Sequence, residues 1–331
     1  MFEEQKKHRW VLFFYTEGGS MGFRIVFIEN ESKMSLKLNN LIVNKGEGDI
    51  WIPLNDISMV VVDNLQTTLS ARMLSIFAQE GIGVVITDQK HNPIGMYGAY
   101  DNHSRVAKTI KYQIQFPKES YDDIWGKIVR RKIENQKIVL NKIMGNVDSV
   151  AELEHLSREV AAGDITNREA HAAKIYFNTL MGISFSRGNE DILLNSGLDF
   201  GYAIVRSFIA RTCVGYGMNT QIGIHHKNEY NRFNLVDDLI EPLRPFVDLY
   251  AYFLLESEEY FMPKHRHRLV NILNHKTIYN SRNMFLSNMI EEYIEQYASF
   301  LTGKRECIIL PDVKGYEVPI GKIFEEEDDE V

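Results

Sequence analysis

The stretch from Gly223 to Asp248, GIHHKNEYNRFNLVDDLIEPLRPFVD, sets a histidine, His226, 12 and 15 residues ahead of two carboxylates, Asp238 and Glu241. Such a pattern reads as a metal site, and it demands a fold that returns a polar loop to a helix start. If the segment from Leu235 onward is helical, Asp238 and Glu241, three residues apart, project from one face and can point at one ion. Asp237 then points elsewhere. Pro242 and Pro245 lack an N–H and crowd the preceding turn, so the helix should be kinked there or begin in earnest only after Pro245. Hard oxygen ligands with one imidazole and no thiolate favour Mg²⁺ or Mn²⁺ over structural zinc. The ordinary alternative is a solvated helix face beside a hydrogen-bonded loop histidine, and spacing alone does not choose between the two.

Working outward, the pattern of the chain changes near residue 110. Before it stand short β-branched and aromatic runs, Phe23–Glu29, Ser35–Val43, Ile50–Pro53, Ile57–Val62 and Gly83–Thr87, with a possible further strand at Trp10–Tyr15. Leu69–Gln79 has helical spacing and Gly81 as its stop. After about Tyr112 the periodicity is helical over Ile124–Met144, Glu169–Leu180, Phe200–Val214, Val247–Glu258 and Met284–Leu301, with a loop at Met181–Asp191. The expected architecture is therefore α+β: an N-terminal β-sheet domain over residues 1–110, a larger all-helical domain over 111–323, and an acidic tail over 324–331. Ile308–Phe324 reads as an extended arm over a neighbour.

The 331 residues, 44% of them hydrophobic, suffice for two cores. No apolar run approaches the roughly twenty residues of a membrane span, no signal peptide is visible, and two cysteines give no disulfide framework, so a cytoplasmic protein is expected. The net charge of -8 at first argues against a nucleic-acid partner, but six of the acids lie between Glu325 and Glu330. Without them the balance is -2. Basic clusters remain in WGKIVRRKIENQK, which holds Arg130 and Arg131, and in PKHRHRLVNILNHK, and either could track a phosphate backbone or be an ordinary solvated face.

Gly-x-x-His followed by Asn-Leu-x-x-Asp-Leu-x-Glu-Pro-x-Arg-Pro-x-x-Asp resembles the signature of CRISPR-associated protein 1, the integrase of spacer acquisition. Glu169 in REAHAAKIYF resembles that family's first metal-binding glutamate, with Ala170 where the family often has glycine. MGFRIVFIENESKMSLKLNNLIV, IPLNDISMVVVDNLQTTLS and GVVITDQKHNPIGMYGAYDNHSR resemble the version found in type II CRISPR systems.

The resemblance implies a Mg²⁺ or Mn²⁺ ion held by Glu169, His226 and Glu241, with Asp238 ligating or assisting. It prefers His226 over its neighbour His225. The implied reaction is transesterification, joining the 3′-hydroxyl ends of short foreign DNA (prespacers) to the leader-end repeat of a CRISPR array; a stand-alone metal-dependent endonuclease acting on branched DNA is the alternative. Arg232 and Arg244, beside the ligands in sequence, are candidate phosphate contacts with Arg130 and Arg131. Implied partners are double-stranded DNA, a second copy of the chain paired through the sheet domain, CRISPR-associated protein 2 and, for type II systems, the effector nuclease and a DNA-end-binding accessory protein.

Overall fold

The computed structural model describes residues 11–13, 24–44, 49–100, 105–145, 147–189 and 192–319. The acidic tail lies outside them. The chain divides into two compact units, Met1–Asn102 and His103–Val331, ahead of the change of pattern near residue 110. The division falls there because α2 (Val106–Gln115) belongs to the second unit: the Gln113 amide donates to Asn219 O at 3.1 Å and accepts from Asn219 N at 2.8 Å.

In the first unit the strands are β1 (Val11–Phe13), β2 (Arg24–Ile28), β3 (Lys33–Lys37), β4 (Asn40–Asn44), β5 (Asp49–Pro53), β6 (Ile57–Val62), β7 (Gly83–Thr87) and β8 (Pro93–Tyr97). One sheet runs β1-β2-β6-β7-β8, with parallel pairing at its centre and antiparallel edges; a second runs β3-β4-β5, all antiparallel. Every residue of β6 is buried, as befits a central parallel strand. Helix α1 (Ala71–Gln79), whose first turn is capped by Ser70, buries Met73 and Phe77 in the core that both sheets share. Gly81, at φ +70°, ends that helix as expected. The run Ser35–Val43 is two strands instead of one. Leu38 and Asn39 both adopt positive φ, 49° and 58°, and turn β3 into β4 as a two-residue hairpin.

The second unit holds α2, α3 (Lys118–Met144), α4 (Asp148–Glu159), α5 (Arg168–Met181), α6 (Leu193–Gly215), α7 (Asn234–Leu239), α8 (Arg244–Leu255), α9 (Pro263–Val270), the hairpin β9 (Lys276–Tyr279) and β10 (Arg282–Phe285), and α10 (Leu286–Leu301). It is thus not all-helical: Asn280 and Ser281, at φ 48° and 60°, make another two-residue turn. Pro242 and Pro245 do interrupt the helix. α7 stops at Leu239, a 3-10 turn spans Glu241–Leu243, and α8 restarts at Arg244 with Pro245 in its first turn.

The long helix α3, about 40 Å at 1.5 Å per residue, lies against α4, α5, α8 and the 3-10 turn. Its buried face carries Trp125, Ile128, Val129 and Ile133 and, in the same row, the polar Lys132 and Asn135. Asn135 donates to Pro242 O at 2.8 Å and Pro311 O at 3.0 Å and accepts from Val313 N at 3.2 Å. Residues 308–319 therefore fold over their own helical unit instead of reaching out as an arm. Tyr279 OH donates to Ile309 O at 2.6 Å, and Tyr316 is fully buried against His275.

Gly126 lets the segment after α4 cross α3 closely, since a Cβ there would lie 2.6 Å from Ala161 O. Beyond the crossing, Asp164 accepts from Arg168 N at 2.9 Å and Glu169 N at 3.0 Å, fixing the first turn of α5. In an open helix Gly→Ala stabilises by roughly 0.5–1 kcal/mol. Here Gly126→Ala is expected to destabilise by about 1–3 kcal/mol through the backbone clash; a urea midpoint at or above that of the unaltered protein would remove this account of the crossing.

Candidate active site

Asp238 is fully buried and accepts four N–H bonds. Oδ2 takes Ile224 N at 2.6 Å and His225 N at 3.0 Å; Oδ1 takes His226 N at 3.2 Å and His226 Nδ1 at 2.6 Å. One carboxylate thus shapes the whole turn before the polar loop. Gly223 is needed there, because a Cβ would lie 2.3 Å from His226 O and 2.8 Å from Asp238 Oδ2. With Nδ1 held by Asp238, the other nitrogen of the half-exposed His226 ring, Nε2, has no hydrogen bond among the described residues, and a carboxylate on Nδ1 is the arrangement that orients a ligating imidazole. The hydrogen bond to Asp238 raises the pKa of His226, against the opposing effect of partial burial. His225 stacks on Trp125 instead, ring centroids 4.5 Å apart and planes within 4°. The expectation that Asp238 and Glu241 share one ion from one helix face does not hold: Asp238 is committed to the loop, and Glu241 stands in the 3-10 turn beyond the end of α7.

Glu241 faces α3 and α5. Lys132 Nζ donates to Glu169 Oε1 at 2.6 Å and forms an ion pair with Glu241 Oε2. Arg244 Nε donates to Glu241 Oε1 at 2.8 Å. Burial would raise the Glu241 pKa, but Arg244 and Lys132 outweigh it and hold the carboxyl down to about 2. Burial would lower that of Lys132, and Glu241 and Glu169 reverse the effect. Side-chain exposure falls from 42% at His226 to 26% at Glu169 and 5% at Glu241, so the site opens on the side of the histidine.

A pocket of about 380 Å³ begins at His226, Glu241 and Arg244 and is rimmed by Arg187, Tyr202 and Arg206. A second, of about 720 Å³, shares His226 and is lined by Phe116, Lys118, Gln221, Lys227 and Asn228 among others. Tyr202 lies under Arg244, whose guanidinium is 4.6 Å from the ring centroid, and its hydroxyl donates to the buried Asp248. Burial raises the Asp248 carboxyl to about 6, against the lowering effects of Tyr202, Arg244 and Arg187.

Of the candidate phosphate contacts, Arg244 lines the pocket and Arg232 is exposed on the loop with no ion pair among the described residues. Arg130 and Arg131 are engaged within the chain. Arg130 donates to Val160 O at 2.8 Å, and Arg131 pairs with Asp312 at 2.9 Å and Glu134 at 3.2 Å. Lys127 and Lys137 of the same cluster pair with Asp123 and Glu154, so those cations brace helices. Lys132, counted in the sequence with that phosphate-tracking cluster, instead turns inward in register with Ile128 and Val129 to meet Glu169 and Glu241, and the pocket-lining Arg187 and Arg206 were not among the candidates.

Among the described residues no three His, Cys, Asp or Glu side chains already converge as a ligand group. Lys132 Nζ stands against one oxygen of each of Glu169 and Glu241. The donor set nevertheless suits a hard divalent cation: two carboxylates, an imidazole whose Nε2 has no hydrogen bond among the described residues, and a position already occupied by positive charge.

A β-rich unit followed by a helical unit is a fold shared with solved structures. A casposase bound to integration product matches with a TM-score of 0.71 at 18% identity, over 92% of this chain and 99% of that one. A chain of a Cas6-RT-Cas1–Cas2 complex matches with a TM-score of 0.72 at 19% identity, over 90% of this chain and 37% of that one. A sequence profile described as "CRISPR associated protein Cas1" matches residues 25–277, and a CRISPR-associated endonuclease Cas1 of Neisseria meningitidis serogroup C is 32% identical over 297 residues, 88% of this chain and 97% of the relative. The chain belongs to the Cas1 family. Among the described residues no helix is long and apolar enough to cross a membrane.

The raised Asp248 pKa has a definite sign. A carboxyl at about 6 in the folded chain and 3.8 unfolded contributes stability below the unfolded value that is lost as pH rises through about 6. Asp248→Asn keeps an acceptor for Tyr202 but cannot ionise. From about pH 4 to about pH 7.5 the unaltered protein is expected to lose roughly 2 kcal/mol relative to this variant in paired denaturant titrations. Parallel pH profiles would contradict the assignment.

Proposed function

We propose that this chain is the DNA integrase of CRISPR adaptation, joining the 3′-hydroxyl ends of short foreign DNA to the leader-end repeat of a CRISPR array. The observation that carries the reading is the meeting of Glu169 and Glu241, from segments far apart in sequence, on one buried cation beside a histidine anchored by Asp238. Family membership supports it, as do a relative named as an endonuclease and the likeness to a casposase bound to integration product.

In this reading Glu169, Glu241 and His226, through Nε2, hold Mg²⁺ or Mn²⁺. The ion, when bound, supplies Lewis-acid polarisation of the scissile phosphate and a lowered pKa for the attacking hydroxyl. The rest falls to the protein. Asp238 fixes the imidazole tautomer and ring plane by accepting from Nδ1. Arg244 spends only Nε on Glu241, so its two terminal nitrogens are available to a phosphate at the pocket, supported by the Tyr202 ring beneath. The rim arginines Arg187 and Arg206 are paired with Asp199 and Asp237 of the same pocket wall, so a phosphate there would compete with those carboxylates for them. The DNA 3′-oxygen bonds to phosphorus in line as the repeat strand's own 3′-oxygen leaves, so one phosphodiester is exchanged for another. Water in place of the hydroxyl gives cleavage, the activity of a stand-alone endonuclease.

The same reading carries its partners: DNA duplexes, a second copy of the chain, and Cas2, supported by the likeness to a Cas1–Cas2 complex. For a type II system it adds the effector nuclease and a DNA-end-binding accessory protein.

The test is strand transfer of a short duplex with free 3′-hydroxyls into a repeat-containing plasmid, with Mg²⁺ or Mn²⁺ and the Cas2 subunit present. Glu169→Ala and Glu241→Ala should each lower joined product by roughly a hundredfold or more, and Asp238→Asn by about 10–100-fold through the misoriented histidine. Cleavage without joining in the unaltered protein would favour the endonuclease. Full joining by both alanine variants would remove the site.

A further inference from the structure

Helix α3 places an ammonium where a protein of this size seldom keeps one. Lys132 is 9% exposed at its side chain, lies in the apolar row with Ile128, Val129 and Ile133, and touches Glu169 Oε1 and Glu241 Oε2 with the same nitrogen. Two carboxylates, Lys132 and Arg244 make a group of four charges with zero net charge. A buried pair of carboxylates without such a counter-charge would repel and separate. With it, Glu169 and Glu241 are held together across the gap between α5 and the 3-10 turn.

We propose that Lys132 is the resident counter-ion of this site, holding Glu169 and Glu241 in place until a divalent cation displaces its ammonium from the two oxygens. The inference rests on the metal-binding reading above and adds a residue that reading does not contain. A hard dication ligates carboxylate oxygen at about 2.0–2.1 Å. Lys132 Nζ already stands against one oxygen of each glutamate, so ion and ammonium compete for the same lone pairs, and their like charges repel strongly at low effective dielectric. Once the ion has entered, the two carboxylates face four positive charges from the ion, Lys132 and Arg244, and the group becomes two charges positive. A DNA phosphate supplies the missing negative charge. Lys132 therefore makes ion binding weak in the absence of DNA and links it to occupancy of the strand path.

The test reads metal binding, not catalysis. Mn²⁺ affinity of the DNA-free protein is measured by electron paramagnetic resonance and calorimetry for the unaltered protein, Lys132→Met and a Glu241→Gln control. Lys132→Met, which keeps the length of the stem and loses the charge, should bind Mn²⁺ roughly tenfold tighter or more, while its metal-free form melts at a lower temperature and recovers more on adding Mn²⁺. Affinity unchanged or weakened in Lys132→Met, with the unaltered protein binding normally, would overturn the role of the lysine and leave the metal reading standing. No Mn²⁺ bound by either protein would remove the metal reading and this inference with it.

A second measurement uses the unaltered chain in case the variant does not fold. Acetylation of Lys132 by an amine-selective reagent, followed by mass spectrometry, should rise when Mn²⁺ and a short duplex are added together. Labelling that stays constant would overturn the displacement.

Discussion

Charge removed from water must be balanced within a few ångströms, and that constraint organises the helical unit. Asp238, with no exposed surface, is balanced by three backbone N–H groups and an imidazole; Glu241, almost as buried, is balanced by a lysine and an arginine. Asp238 could not be moved without unmaking a piece of backbone, and Glu241 not without stranding two buried cations. The loop from Gly223 to His226 has its shape because an anion sits beneath it. The break between α7 and α8 exists because two prolines forbid a continuous helix, and the resulting 3-10 turn aims Glu241 at α3 instead of along the side of Asp238.

Periodicity sufficed where an element owes its form to its own residues. α3, α5, α6, α8 and α10 and the strands β2, β5, β6 and β7 follow from spacing and β-branched runs, and Gly81 marked the stop of α1. It failed where two residues decide. Leu38–Asn39 and Asn280–Ser281 turn the chain with positive φ and no glycine, so one hairpin read as a single strand and another was hidden in a helical region. The site was legible only in part. His226, Asp238 and Glu241 share one stretch, yet the division of labour between the carboxylates depended on a helix break whose exact position two prolines left open. Glu169 could be joined to them by resemblance alone, since nothing local in REAHAAKIYF speaks of a partner.

The basic cluster of α3 shows why counting cations misleads. From Lys127 to Lys137 the sequence offers five positive side chains, and the fold turns them in different directions: Lys127, Arg131 and Lys137 to acidic partners on its helices and C-terminal segment, Arg130 to a backbone carbonyl, and Lys132 inward. A helix surface rotates 100° per residue, so adjacent residues cannot form one face. The arginines that do rim the pocket, Arg187, Arg206 and Arg244, come from three separate segments and form no run.

Asn135 joins Pro242, the residue after Glu241, to Pro311 and Val313 through a single amide. Three segments that the ribosome makes far apart in time therefore share one knot behind the glutamate. A nascent chain that has emerged only as far as α8 holds every candidate ligand but lacks the strap that seats their wall. The wall behind Glu241 is thus closed by residues 311–313, the last of the three segments in chain order.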